Sequence, residues 1–302
     1  MSVRLSSATA AHAQWSGGYI LLAAALWGTT GTARTFAPDG ASPVSVGAAR
    51  IVLGGLLLLV LAVHRGALRR LARNATPATW VLLVLGAACA ATYQTAFFAA
   101  LDRTGVATGT VVTIGSAPAF AGLLSRLTGT AALSRRWAAS TAGAVAGCAA
   151  LVGGGQAAGV RPAGVVLALS AGFAYAGYAT IAGRLISGGA ADRVVMGALF
   201  GGAGLLLLPV LLASSPGWLP TGRGVLVTLY LGAVTTTVGY VLFGRGLRRT
   251  SAATATTLTL AEPAVAALLG LVLLGERLGA VAVGGLVLLA ASLVLLAVPS
   301  RT

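Results

Sequence analysis

The sequence predicts an all-α integral membrane protein with ten transmembrane helices, arranged as two inverted five-helix repeats. Three observations carry this reading. Hydrophobic residues make up 57% of the 302-residue chain and charged residues only 8%, whereas a soluble domain carries roughly a quarter charged. The apolar residues fall into ten stretches separated by short arginine-bearing loops. A segment that begins at Phe97 recurs beginning at Phe243.

Only five acids are present, Asp39, Asp102, Asp192, Glu262 and Glu276, too few to hydrate a soluble surface of this size. The missing charge is lipid-facing surface, so the bilayer is an expected partner. The net charge of +15 does not mark a nucleic-acid binder. All twenty basic residues are arginines that punctuate apolar runs, rather than a patch laced with stacking aromatics.

Residues 1–16 read as a cytoplasmic tail. Ala11-His12-Ala13 imitates a signal cleavage site, but no adequate apolar run precedes it. A helix needs about 20 mostly apolar residues to cross about 30 Å of hydrocarbon. The spans so defined are 17–36, 43–63, 79–101, 105–126, 137–153, 162–183, 194–213, 224–244, 251–275 and 278–298, with residues 299–302 as a second short tail. Strands are excluded, because open strands leave backbone groups unpaired in lipid and a barrel shows short alternating segments. Trp15, Trp80, Trp137 and Trp218 lie at or near span ends, as interfacial anchors do. With the N-terminus inside, Arg34, Arg103, Arg161, Arg223 and Arg277 face outward, Arg50 lies within a span, and the other arginines face the cytoplasm. That asymmetry predicts a multi-pass protein of the cell (cytoplasmic) membrane with both termini cytoplasmic.

The recurring segment reads FFAALDRTGVATGTVVTIGSAP at 97–118 and FGRGLRRTSAATATTLTLAEP at 243–263. Both share an aromatic, a Leu-x-Arg-Thr turn, a Thr/Ala-rich helix and a proline. Five spans per copy is an odd number, so the second copy, residues 162–298, is expected to cross in the opposite sense to the first, residues 17–153. The arginines agree, since the turn with Asp102 and Arg103 falls outside and its counterpart with Arg248 and Arg249 falls inside.

Residues 246–296, GLRRTSAATATTLTLAEPAVAALLGLVLLGERLGAVAVGGLVLLAASLVLL, resemble the second repeat of the EamA-type transporters of the drug/metabolite transporter superfamily. The turn before the ninth helix, Glu262-Pro263, Gly275-Glu276-Arg277 and the glycine-containing tenth helix match in order. The first repeat matches more loosely: Pro118 corresponds to Pro263, but Ala117 stands in place of the acid and Ser134 where Glu276 aligns. The resemblance covers roughly residues 17–298. It implies an exporter of amino acids, other metabolites or toxic compounds, with its cavity between the two halves.

Several residues are candidates for a site. Glu262 is the only acid well inside a span, where a charge costs at least roughly 2.5–3.5 kcal/mol. Pro263 beside it cannot donate a backbone hydrogen bond and is expected to free the Thr259 carbonyl. Glu262 either binds a substrate amine or couples protons to transport, or it is a structural acid that pins the ninth helix. Arg50 either pairs with Glu262, attracts an anionic substrate group, or snorkels and caps carbonyls. Trp27, Tyr93, Gln94, Tyr175, Tyr178 and Tyr240 carry polar tips within spans, and Tyr175 and Tyr178 share a helix face. They are expected to line an amphipathic cavity suited to small zwitterions or flat organic molecules, with packing between helices as the alternative for each. Pro118 and Pro263 are candidate paired bends for alternating access. Gly143, Gly147, Gly284 and Gly285 allow close helix contact, within the protomer by default and across a dimer as the alternative. The sequence leaves oligomeric state open.

No metal site is expected, because no His-x-x-x-His or cysteine cluster occurs. Cys89 and Cys148 lie in apolar stretches as packing residues. The chain has no lysine, hence no Walker-type motif, and neither ATP nor another cofactor is expected. These features favour a secondary transporter of a small-molecule substrate, working by alternating access, with proton coupling left open. A receptor or passive channel is the alternative, and an intramembrane enzyme lacks the residues for acid/base chemistry.

Overall fold

The computed structural model describes residues 17–63, 69, 71, 73, 75–129, 133–153, 161–273 and 279–297. Trp15, both expected tails and the Gly275-Glu276-Arg277 turn lie outside the described residues. Every regular element among those residues is helical. In chain order, α1 covers residues 17–28 and, after a turn at Thr29, Thr30–Arg34. It is followed by α2 (Pro43–Val63), α3 (Pro77–Thr104), α4 (Val106–Leu127) and α5 (Arg135–Gly153). The remaining helices are α6 (Pro162–Ser187), α7 (Asp192–Ala213), α8 (Gly222–Leu247), α9 (Ala252–Leu273) and α10 (Ala280–Ala297).

Among the described residues, 8 of these helices are long and apolar enough to cross a membrane: α2, α3, α4, α6, α7, α8, α9 and α10. The chain is therefore an all-α, multi-pass membrane protein. The other two expected spans correspond to α1 and α5. Helix α1 breaks where the Thr29 hydroxyl donates to the Leu26 carbonyl at 2.6 Å, and α5 opens on Arg135 and Arg136 and is built largely of Ala and Gly. Outward-facing side chains such as Val84, Leu205 and Val272 are exposed, as contact with lipid requires.

Helix ends follow local chemistry. In α3, Pro77 occupies the first turn, where a missing N–H costs nothing, and the Thr76 hydroxyl accepts from the Thr79 amide at 3.3 Å. The helix ends at Gly105, whose φ of 80° suits a residue without a Cβ. The helix thus starts two residues before the expected span, with its cap.

Glycines allow close helix contact across the bundle. A methyl at Gly147 on α5 would lie 2.8 Å from the Gly285 carbonyl on α10, and one at Gly285 would lie 2.6 Å from the Gly147 carbonyl. Gly143 faces Ser292 on the same helix, whereas Gly284 is exposed and meets nothing. The small-residue stripe therefore packs α5 against α10 within one chain, as small-xxx-small patterns do in membranes. Helices α2 and α7 pack likewise, and α3 packs on α6.

Besides the break in α1, two helices depart from regular α geometry beside the centre. Helix α8 is α-helical over Gly222–Leu229, widens to a π-helix over Tyr230–Val238, and returns to α over Gly239–Leu247. The Thr236 and Thr237 hydroxyls donate to carbonyls five residues back, on Leu231 (2.8 Å) and Gly232 (2.9 Å). Thr237 also reaches the Gly54 carbonyl on α2 at 3.2 Å, so the threonine run supports the wide register. Helix α9 is α-helical over Ala252–Leu258, turns at Thr259 and Leu260, and resumes over Ala261–Leu273.

The break in α9 precedes Glu262-Pro263, but the Thr259 carbonyl is not left free. The Glu262 amide donates to it at 2.9 Å in a tight turn, because a turn three residues long needs no amide from Pro263. Helix α4 runs through Pro118 without interruption, whereas α9 is interrupted just before Pro263. Trp218 is also not an interfacial anchor. It is buried in a short 3₁₀ turn, and its indole N–H donates to Ser45 Oγ at 2.8 Å. Trp80, by contrast, is exposed.

Candidate functional site

Six helices deliver side chains to one point in the middle of the bundle. Trp27 (α1), Arg50 (α2), Tyr93 (α3), Tyr175 and Tyr178 (α6), Tyr240 (α8) and Glu262 (α9) line a single enclosed cavity of about 20 Å³. Three of these helices come from the N-terminal part of the chain and three from the C-terminal part. The cavity has room for about one water molecule, whereas ligand pockets commonly hold about 300–1,000 Å³. Admitting a metabolite therefore requires the helices to part.

The walls are aromatic. The Trp27 and Tyr240 rings lie 4.9 Å apart, Tyr93 and Tyr175 5.4 Å, and Tyr175 and Tyr178 5.1 Å. Phe200 on α7 stacks on Tyr240 at 3.6 Å, and Phe243 lies 5.5 Å from Trp27. These two phenylalanines back the cavity without lining it, and no polar atom marked them in the sequence.

Each polar tip has its own arrangement. Tyr175 donates to Thr259 Oγ1 at 2.8 Å, and the Tyr178 and Tyr240 hydroxyls stand 3.5 Å apart. Thr259 Oγ1 donates in turn to the Thr256 carbonyl at 2.8 Å, so the break in α9 supplies the acceptor that orients Tyr175. The Trp27 indole N–H donates to the Thr235 carbonyl at 2.9 Å, in the π-helical part of α8 where the carbonyl ladder is displaced.

The two charges differ. Arg50 and Glu262 share the cavity without an ion pair between them. Arg50 Nε is buried with no hydrogen-bond partner, and no hydrogen bond reaches the Glu262 carboxylate among the described residues. An opposed, unmatched cation and anion in an aromatic chamber are able to receive the two ends of a zwitterion.

Gln94 does not join them. It is buried on α3 with its Nε2 turned toward Gly47 of α2, where a methyl would lie 2.6 Å away, and that nitrogen has no partner. Phe173 on α6 is exposed and packs edge-to-face on Phe120.

Two sets of side-chain hydrogen bonds flank the cavity. Toward the Arg223 end, Thr29 Oγ1 and the Tyr230 hydroxyl are hydrogen-bonded at 2.8 Å. Beyond this contact opens a groove of about 630 Å³ between α1, α8 and α9, lined by residues including Phe36, Arg223, Leu226 and Leu273. On the other flank, Tyr175 bonds Thr259 and Thr141 bonds Thr257 at 2.9 Å, Thr257 and Thr259 both lying on α9 before Glu262. Thr29 at the first contact was missed in the sequence because a hydroxyl within a helix ordinarily serves its own backbone.

Comparison with known proteins adds identity to this geometry. The EamA-like transporter family matches residues 14–153 and again residues 162–298. The chain is 38% identical over 265 residues to the "Uncharacterized transporter YwfM" of Bacillus subtilis (strain 168), covering 86% of each protein. A solved crystal structure shares the fold with a TM-score of 0.78 at 20% identity, over 94% of this chain and 95% of that one.

Proposed function

Because this chain belongs to the EamA-like transporter family, we propose that this membrane transporter is a secondary carrier that exports a small amino-acid-like metabolite or drug by alternating access. The observation that supports it is the convergence of Trp27, Arg50, Tyr93, Tyr175, Tyr178, Tyr240 and Glu262 on one small cavity. Arg50 receives the carboxylate of a zwitterion, Glu262 receives its amine, and the aromatic faces hold the body of the molecule. The two stretches 17–153 and 162–298 act as inverted five-helix units, ten spans in all, with both termini cytoplasmic. The two successive family matches and the arginine distribution support that organisation.

In this reading, outward opening breaks Thr29–Tyr230 and Trp27–Thr235 and joins the cavity to the 630 Å³ groove. Inward opening breaks Tyr175–Thr259. The π-helical stretch of α8 and the turn in α9 are the places where the backbone changes register. Glu262 exchanges a proton for the substrate amine, so a gradient that drives protons inward drives substrate outward. A passive channel fits less well, because the cavity has room for only about one water molecule. The test is saturable counterflow in liposomes with a panel of amino acids and cationic drugs. Flux that rises with an imposed pH gradient supports coupling, and saturable flux indifferent to pH removes the coupling while keeping the carrier.

A further inference from the structure

A second polar cavity lies at the arginine-rich end of the bundle, away from the central site. It measures about 220 Å³ and is formed where the ends of α4, α6 and α8 meet the loop into α9. Its lining carries Arg184, Arg248 and Arg249, the hydroxyls of Thr180, Ser187 and Thr250, and no acid. The three guanidinium groups have no ion-pair or hydrogen-bond partner among the described residues. All three arginines are exposed at the rim of the cavity, so an anion that enters it meets three cations.

Thr180 distinguishes this cavity from a merely basic surface. It is 7% exposed, and its hydroxyl is buried with no hydrogen-bond partner. A threonine within a helix ordinarily donates to the carbonyl four residues back, as Thr256 and Thr257 do toward Ala252 and Ala253. Thr180 makes no such bond, leaving a desolvated donor on the wall of a cavity ringed by arginines. Leaving a buried hydroxyl unpaired costs about 1–3 kcal/mol, which an anion's oxygen would recover.

We propose that this cavity is a binding site for a phosphate group, held by Arg184, Arg248 and Arg249 with Thr180 donating to one of its oxygens. Arginine forks match phosphate oxygens in number and geometry. Two sources present this chemistry, the headgroup of an anionic phospholipid and a soluble phosphate ester, and the cavity recognises the group they share. The site joins α4 to the α8–α9 loop, so occupancy braces that end of the bundle. It is independent of the transported substrate and of which way the chain is oriented.

The test is thermal unfolding of the full chain in phosphatidylcholine nanodiscs, alone, with sn-glycerol 3-phosphate in solution, or with phosphatidic acid in the disc. A rise of about 5 °C at saturation is expected with at least one of them. A rise with the lipid alone assigns a headgroup, and a rise with glycerol 3-phosphate, with or without the lipid, assigns a site open to soluble esters. The rise should vanish in Arg248→Gln/Arg249→Gln and fall markedly in Thr180→Val, which keeps the shape of the side chain, while Arg193→Gln on α7 retains it. No rise with either compound overturns the proposal. So does a rise that survives Thr180→Val in full, or one that Arg193→Gln abolishes equally, since both outcomes mean diffuse surface charge.

Discussion

Glu262 and Arg50 bring opposite charges into the same cavity and leave them unpaired with each other. A structural pair would be expected to close into contact, because an isolated charge in a membrane interior is costly. The proposal therefore predicts that Glu262→Gln abolishes transport while membrane abundance and thermal stability stay near wild type. A loss of abundance in parallel with activity would instead mark Glu262 as a pin for α9. Arg50→Leu removes a charge-assisted contact worth about 1.5–3 kcal/mol. It should raise KM roughly tenfold or more for a carboxylate-bearing substrate, with little change for a cationic drug that lacks the carboxylate. Gln94→Ala should leave KM within about twofold, because Gln94 faces Gly47 rather than the cavity. The lining was legible in the sequence because a tyrosine, tryptophan, arginine or glutamate stands out in an apolar span. Gln94 misled for a geometric reason: one residue along a helix turns the side chain through about 100°, so it and Tyr93 cannot face the same point. Phe200 and Phe243 were not legible, since a phenylalanine behind a cavity has the same pattern as one facing lipid.

At the scale of elements, the centre is bordered by two helices whose backbones are irregular. The break in α9 was foreshadowed by Glu262-Pro263, but the π-helix in α8 was not. Its only trace is Thr235-Thr236-Thr237, and three hydroxyls in a span ordinarily bond their own helix in regular register. Gly239 follows the π segment, and a methyl there would lie 2.6 Å from Trp27 Nε1. Gly239→Ala should displace the indole from the Thr235 carbonyl and slow transport severalfold at modest cost in stability. The converse substitution for activity and stability is Gly285→Ala. Its methyl would press on the backbone of α5, outside the lining of the cavity, and overpacking of this kind costs about 1–3 kcal/mol. Thermal unfolding in detergent should show that loss, while KM of the remaining folded protein stays unchanged.

For the whole molecule, composition and arginine placement made the membrane class readable, because lipid accepts neither charge nor unpaired backbone. Eight of the helices are long and apolar enough to stand as spans on those grounds. Helices α1 and α5 show where composition loses resolution. The first is interrupted at Thr29, whose hydroxyl bonds that of Tyr230, and the second is made of small residues that serve packing on α10 rather than contact with lipid. Substrate was not legible at this scale, because a cavity of about 20 Å³ records only the chemistry of its lining and not the dimensions of the open site. We hold the small, oppositely charged aromatic chamber to be the transport site. Counterflow in liposomes tests it most directly, comparing wild type with Glu262→Gln across amino acids and cationic drugs, with and without a pH gradient. The wild type should show saturable exchange of at least one such solute, stimulated by the gradient and absent in Glu262→Gln. Equal exchange by the two proteins would contradict it.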